Sequence, residues 1–356
     1  MKKIAIAGGG PGGLTLARLL QVNNFDVTVY ERDTHRGVRV QGATLDLHQD
    51  TGLAALRAAG LMDAFNAAYR PGADRMRVVD RDARVHYEDA FEGDRPEIDR
   101  GPLRDLLLDS LKPDTVAWNR QCVSLTPIGA GWTLHFQDGS AAEADLVVVA
   151  DGANSRLRPY VTPIKPIYSG YAAVEGAAYE GAPRMSALVN GGKVFALADS
   201  KTLIVGAKGD GSLAFYAAFA APGNANFTGI GSAWFQQTFP GWDPVWLELF
   251  DKGPLTPRPF YYMPLDQSWP AHPNITLIGD AAHLMPPYAG EGVNMAMLDA
   301  LQLATHLTHN PDAQQAIAAY ESAMLPRAAA TTADTLDQTA WMHAPGALER
   351  MVRMFR

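Results

Sequence analysis

A single cysteine, Cys122, stands in 356 residues. No internal disulfide can form, and no cysteine-based metal cluster can be assembled. No apolar run approaches the roughly eighteen residues of a membrane-spanning helix. The stretch Ile4-Ala5-Ile6-Ala7 follows Met1-Lys2-Lys3 directly, and glycines break it too soon for a signal peptide. Basic charge is also short: 30 Lys and Arg face 38 Asp and Glu, a formal net charge of −8. Nucleic acid, which needs a basic face, is therefore not an expected partner. Low-complexity segments and internal repeats are missing. So are H-E-x-x-H, comparable metal-ligand sets and a G-x-S-x-G elbow, which argues against metal-dependent hydrolysis and serine acyl chemistry; no metal is expected. What is present is a chain 47% apolar, long enough for a substantial core and roughly two domains. These bounds describe a globular, cytoplasmic protein with no stable membrane association; a monomer is expected.

Lys3–Ala7 reads as a short strand, Leu16, Leu19 and Leu20 mark one helix face, and Val27–Tyr30 is a second strand. Between the first strand and the helix lies Gly8-Gly9-Gly10-Pro11-Gly12-Gly13. Gly8, Gly10 and Gly13 fit G-x-G-x-x-G in the strand–helix setting that gives the motif meaning, with Glu31 as the acid about twenty residues on. The glycines would provide a tight turn, backbone approach to a pyrophosphate and close helix–strand packing, while Glu31 suits the ribose of an adenosine. A dinucleotide-binding βαβ unit follows. An NAD domain would continue in regular alternation, but after Glu31 the chain breaks into Arg32-Asp33-Thr34-His35-Arg36-Gly37, which favours FAD. Arg32, Arg36 and Arg39 suit phosphates or an adenine face.

Further on, Arg75–Glu88 reads as a hairpin and Arg100–Leu111 as a helix carrying Arg104. Val116–Leu125 and Trp132–Phe136 are expected strands, and Leu146–Val149 is a buried one leading to Asp151-Gly152. From Pro159 to about Trp269, alternating segments separated by Gly-, Asp- and Ser-rich turns describe an antiparallel sheet. Short helices are expected at Ser232–Phe239 and Val245–Phe250, and a strand at Arg258–Leu265. Near the end, the apolar run Ile275–Ile278 leads through Gly279-Asp280 and Pro286-Pro287 into Gly290-Glu291-Gly292, after which Val293, Met297, Leu301, Ala304 and Leu307 fall on one helix face. Glycines there let a ligand approach, and the free N–H groups and positive helix end suit an electron-rich group. Asp312–Met342 is a long helix with a kink expected at Pro326. The basic, amphipathic end Leu348–Arg356 is read as a solvated tail.

The fold class expected is α/β: a Rossmann-type FAD-binding domain with an inserted antiparallel-sheet substrate domain and a long C-terminal helix. The FAD-binding part is assigned to residues 1–69, 93–160 and 270–311, the substrate part to 70–92 and 161–269, and the helix to 312–356.

Three separated pieces, the Gly8–Gly13 unit with Glu31, Val147–Arg156 and Ile278–Asn294, come in an order and spacing that resembles the single-component FAD-dependent aromatic hydroxylases with the para-hydroxybenzoate hydroxylase fold. Within that group Gly42–Leu61, Arg100–Leu111 and Gly279–Asn294 most resemble the tetracycline-inactivating monooxygenases, the tetracycline destructases. The resemblance implies FAD as cofactor, NADPH as transient co-substrate and O2. It implies hydroxylation of a phenol or enol through a flavin C4a-hydroperoxide, on a tetracycline-like molecule, or alternatively on a small aromatic or other polycyclic metabolite. A flavoprotein with a non-redox or purely binding role is the remaining alternative. Residue by residue, the resemblance places Glu31 and Arg32 at the adenosine and Arg39, Thr44, Asp46 and Arg104 along the cofactor. Asp280 falls at the ribityl–pyrophosphate region, Pro287, Gly290, Gly292, Val293 and Asn294 at the flavin ring, and Asp151 at both FAD and NADPH. Glu175 stands where those enzymes carry a substrate-holding glutamine, Lys193 where they carry an arginine and Ala214 where they carry a histidine. With Phe215 and Tyr261, Glu175 and Lys193 complete the expected substrate shell; Tyr216, Phe260 and Met263 are further candidates for its lining. No general base is assigned.

Overall fold

The computed structural model describes residues 2–38, 44–89, 95–223 and 227–356. Its first layer is a parallel sheet in the spatial order Ile275–Leu277, Leu146–Val149, Lys3–Ala7, Asp26–Tyr30, Val116–Ala117. Leu146–Val149 and Lys3–Ala7 are nearly continuous runs of Ile, Leu, Val and Ala because both their faces are covered, whereas Asp26–Tyr30 buries only Val27 and Val29. Helices Pro11–Val22 and Glu291–His309 cross the sheet side by side. They approach closely because Gly12 has no side chain: a Cβ there would stand 3.0 Å from the Ala296 carbonyl oxygen.

The second layer is a seven-stranded sheet, ordered Leu255–Tyr262, Ile167–Ala178, Leu213–Ala220, Lys201–Ala207, Lys193–Ala198, Met76–Val79, Val85–Asp89. All neighbours are antiparallel except Lys193–Ala198 with Met76–Val79, so the expected Arg75–Glu88 hairpin is the sheet's edge. One face is sealed by Phe235, Phe239, Trp242, Trp246 and Phe250, which lie in or just after the short helix Ser232–Thr238 and the 3₁₀ turn Pro244–Leu249. A small ladder of Leu45–Asp46 with Glu97–Ile98 lies between the two layers.

Three expectations change. Val116–Leu125 is not one strand: Asn119 takes a left-handed φ of 55°, Asn119 and Arg120 hydrogen-bond to Asp33 and Glu31, and the chain leaves the parallel sheet before re-entering a three-stranded meander at Cys122–Ile128. The last sheet strand is Leu255–Tyr262, earlier than Arg258–Leu265, because Met263 N–H already turns away to the Leu284 carbonyl. The end of the chain is not a solvated tail. Ala347–Phe355 is a second C-terminal helix whose Leu348, Met351, Val352 and Phe355 pack on Met76, Val78 and Leu197. Its apolar stripe buries against the sheet and leaves Arg350 and Arg353 outside. The preceding helix, Ala313–Met342, runs unbroken through Pro326. No helix is long and apolar enough to cross a membrane among the described residues.

Candidate active site

Where the two layers meet, a cleft of about 940 Å³ runs from Gly10–Gly13 past Gly279-Asp280 and Pro287–Val293 to Lys193, Ala214, Tyr216 and Phe260 on the sheet. Trp341, Met351, Met354 and Phe355 of the C-terminal helices close one side. The amino-terminal glycine turn and the late proline–glycine loop, 280 residues apart in sequence, are thus walls of one space.

The nucleotide end follows from local geometry. Gly8 holds φ 122°, and a Cβ there would lie 2.2 Å from the Ala150 carbonyl oxygen. A Cβ on Gly13 would meet the Gly8 carbonyl oxygen at 2.1 Å, whereas one on Gly10 would meet nothing within 4 Å. Two of the motif glycines are therefore demanded by packing and the third opens onto the cleft. Glu31 is buried, and its carboxylate accepts from Gly9 N–H at 2.7 Å and Asp33 N–H at 2.9 Å, bracing the turn. Arg32 projects outward from the strand end. Arg39 lies outside the described residues. Arg36 pairs with Asp105 and Asp109 at the surface. Arg104 is buried on Asp33 at 2.8 Å and does not border the cleft; one turn earlier Arg100 does. Asp151 accepts from Arg156 N–H at 3.0 Å, while its neighbours Ala150 and Gly152 border the cleft.

At the other end Gly290 turns with φ 67° against Asp46, and the helix Glu291–His309 begins there, aiming its positive end into the cleft. Thr44, Asp46, Asp280, Pro287, Gly290, Gly292 and Val293 all border the space. Burial pushes the Asp280 carboxyl up, which His283, Arg100 and Arg158 only partly offset. Asn294 differs from expectation. Its side chain is fully buried and does not border the cleft. Its amide oxygen accepts from His48 N–H (3.0 Å), Thr51 hydroxyl (3.1 Å) and Gly52 N–H (3.3 Å), and its nitrogen donates to the Asp46 and Gly290 carbonyls. The Asn294 side chain braces loop to strand and does not line the cleft.

Sheet periodicity corrects the substrate shell. Lys193 borders the cleft, as do Ala214 and Tyr216. Phe215, between them, faces the opposite side and is fully buried against Phe250. Likewise Phe260 borders the cleft while Tyr261 points away and is 40% exposed beside Tyr168. Glu175 sits opposite Tyr216 on the neighbouring strand, outside the cleft lining, accepting from the Tyr216 hydroxyl at 3.0 Å and pairing with Arg258.

Two arrangements escaped sequence reasoning. Asp299, wholly buried, accepts from Gly279 N–H at 2.8 Å and from His283 and Arg327 at 2.6 Å each. It anchors the Gly279-Asp280 turn, and an acid inside the apolar helix stretch Met297–Leu303 was the available signal. His48 lies 3.1 Å from Asp46 and 3.4 Å from Glu291. Hydrogen bonding to Asp46, then to Glu291, pushes its imidazole up to about 9. An imidazolium thus clamps the strand to the first turn of the loop's helix. Since the folded value lies above the ordinary 6.5, the clamp stabilises fully below that pH and is lost as pH rises through about 9. Urea unfolding across that interval should show stability declining in the native chain and a flatter profile in His48→Gln; equal slopes would refute the clamp.

Residues 6–70 match the NAD(P)-binding Rossmann-like domain, and residues 270–335 match the FAD binding domain. The monooxygenase asqM of Emericella nidulans is 32% identical across 86% of this chain and 83% of its own length. The 3-amino-4-hydroxybenzoate 2-monooxygenase of Streptomyces cremeus is 30% identical across 92% and 84%. In three dimensions, Klebsiella pneumoniae HpxO complexed with FAD and uric acid superposes with a TM-score of 0.82 at 22% identity, over 99% of this chain and 92% of that one. Tetracycline destructase Tet(55) superposes at 0.78 with 21% identity, over 97% and 89%; both are likenesses of fold. Taken with the glycine cradle and the cleft that continues from it, these relationships establish the chain as a flavin-dependent monooxygenase, a member of the FAD-binding aromatic hydroxylase family.

Proposed function

We propose that the protein hydroxylates an electron-rich ring bearing a phenolic or enolic hydroxyl, using NADPH as reductant and O2 as oxygen source. The observation that carries this reading is the single cleft joining the open Gly10 cradle, the helix-terminal loop at Gly290–Gly292 and a sheet wall carrying Lys193. FAD, when bound, supplies the redox and oxygen-activating chemistry.

The chain's own residues do the rest. Gly10–Gly13 leave room for backbone approach of the pyrophosphate, and Asp280 lies where ribityl hydroxyls would be held. N–H groups opening the Glu291–His309 helix offer fixed dipoles to negative charge developing at the ring edge, as in an oxyanion hole. Lys193 offers a cation to the substrate's hydroxyl oxygen. Phe260, Trp341, Met351 and Phe355 exclude water from the reacting centre. A small aromatic acid suits this wall, with Ala214 leaving space beside the Lys193 cation. A tetracycline-like substrate is the second reading, supported by the shared fold with the destructases.

The test is to purify the protein, record its flavin spectrum, and follow NADPH oxidation and product mass against 3-amino-4-hydroxybenzoate, simple phenols, urate and tetracycline. A yellow protein whose NADPH consumption rises with a ring-hydroxylated compound, giving a product heavier by one oxygen, is expected. A colourless protein that takes up no FAD, or turnover indifferent to every compound, would overturn the reading.

A further inference from the structure

The late proline–glycine loop is fastened on two sides. Asn294, which donates to the Gly290 and Asp46 carbonyls, and the His48 clamp on Glu291 hold one end to the nucleotide layer. Just before that end, in the 3₁₀ turn Pro287–Ala289, stands Tyr288. Its ring borders the cleft, and its hydroxyl is buried beyond it. That hydroxyl lies 3.0 Å from the Thr202 hydroxyl on the substrate sheet. It lies 3.1 Å from Nε2 of His343, which caps the helix Ala313–Met342. The Tyr288 ring meets Phe260 and His343 edge-on, with centroids 5.8 and 5.3 Å apart.

The direction of these bonds follows from what each partner can do. His343 Nδ1 is 2.9 Å from the Thr339 carbonyl, which only accepts, so Nδ1 carries the hydrogen. Burial pulls the imidazole down, against the carbonyls of Thr339 and Ala218, and keeps it neutral. Nε2 then offers a lone pair to the Tyr288 O–H, and the Thr202 hydroxyl donates to the phenol oxygen. Burial also pushes the phenol up, so it stays protonated. Both anchors are themselves fixed. Thr202 is fully buried, between Leu197 and Ala218 on its neighbouring strands. His343 follows Thr331, Thr335 and Thr339, whose hydroxyls bond to their own helix backbone. The loop cannot slide along the sheet without breaking both bonds.

We propose that Tyr288 is a positioning residue of the oxygenation, fixing the distance between the loop beside the flavin ring and the sheet that carries the substrate. This rests on the monooxygenase reading above and on the ring's place at that loop. Reacting centres must be held within about 0.5 Å of the productive geometry, and here they belong to separate layers of the fold. Productive turnover consumes NADPH, O2, a proton and the ring compound, and returns NADP⁺, water and the hydroxylated ring. When the oxygen is not delivered, the same NADPH, O2 and proton give NADP⁺ and hydrogen peroxide. Holding loop and sheet in register selects the first outcome over the second, whereas NADPH oxidation itself needs no such register.

The test uses the FAD-loaded protein with NADPH. The substrate is whichever of 3-amino-4-hydroxybenzoate, simple phenols, urate and tetracycline gives the native protein most hydroxylated product per NADPH. Product and peroxide are both measured against NADPH consumed. Tyr288→Phe keeps the ring and removes both bonds. It should retain FAD, KM and the rate of NADPH oxidation. Product per NADPH should fall by about tenfold, inside the roughly 10²-fold that a misplacement of about 1 Å can cost, and peroxide should account for the difference. Thr202→Val, which cuts only the sheet link, should uncouple in the same direction. Adding it to Tyr288→Phe should cost little more, as expected of two changes to one bond. If Tyr288→Phe fails to fold, Thr202→Val decides by the same ratio. A native product yield in the variant that decides, a loss confined to FAD retention or KM, or additive losses in the double variant would overturn the proposal. A native protein with no flavin spectrum, or with no compound hydroxylated, would instead sink the functional reading, and the proposal with it.

Discussion

Replacing Asp299 with alanine is expected to lower stability by roughly 3–5 kcal/mol, because removing one partner of a buried ion network leaves the others uncompensated. His283 and Arg327 would lose the carboxylate 2.6 Å away, and Gly279 N–H would lose its acceptor. Burial lifts the Asp299 carboxyl, but His283 and then Arg327 outweigh it and leave it below the usual range. Burial lowers His283, yet Asp299 and Asp280 leave its imidazole raised. The signs define a window. Asp299's contribution is present above its ordinary value of 3.8 and is lost as pH falls through its depressed one. His283's is complete below 6.5 and is lost as pH rises through its raised value. Urea unfolding at about pH 6 should therefore show the largest gap between native and variant, narrowing toward strong acid. Because Asp299 also holds the Gly279-Asp280 turn, the variant should retain FAD poorly even where it remains folded. A gap below about 1 kcal/mol would mean that the network contributes little.

The second large effect separates cofactor binding from folding. Gly10 has ordinary backbone angles, φ −77° and ψ 177°, and open space where a Cβ would sit. Gly10→Leu should therefore fold with nearly native stability while its side chain fills the pyrophosphate's approach. FAD affinity should fall by at least about 100-fold, close to 2.7 kcal/mol, measured by flavin fluorescence on reconstitution. Gly8→Ala provides the contrast: its Cβ would collide with the Ala150 carbonyl at 2.2 Å under a left-handed φ, so soluble protein itself should be lost. If the Leu variant binds FAD normally, the cradle assignment fails.

These contrasts show how differently residues of one motif are used. Gly8, Gly10 and Gly13 were legible as a group from spacing alone, since a βαβ turn demands glycine wherever backbone meets backbone or ligand. The parallel sheet, the split architecture and the late loop were legible for the same reason: buried strands, turns and amphipathic helices leave periodic traces in local sequence. Family resemblance assigned Asp46, Asp280, Pro287, Gly290, Gly292 and Val293 to the cofactor, and all of these border one cleft. It did not distinguish which side chains face that cleft. Asn294 turned inward to brace the Asp46 loop, and Arg104 turned to Asp33 while Arg100 took the cleft.

By itself the chain's sequence determined the fold class, the nucleotide cradle and the loop opposite it, because these depend on glycine, proline and apolar periodicity within short stretches. Tertiary structure alone decided the register of the sheet wall, which exchanges Phe215 for Tyr216 and Tyr261 for Phe260 with a shift of one residue. It alone brought together Glu97, Lys193 and Asp46, and separately Asp299, His283 and Arg327. The first group unites residues from distant segments and the second from successive helices, and both acquire their perturbed chemistry only after burial has removed the water that would otherwise screen them.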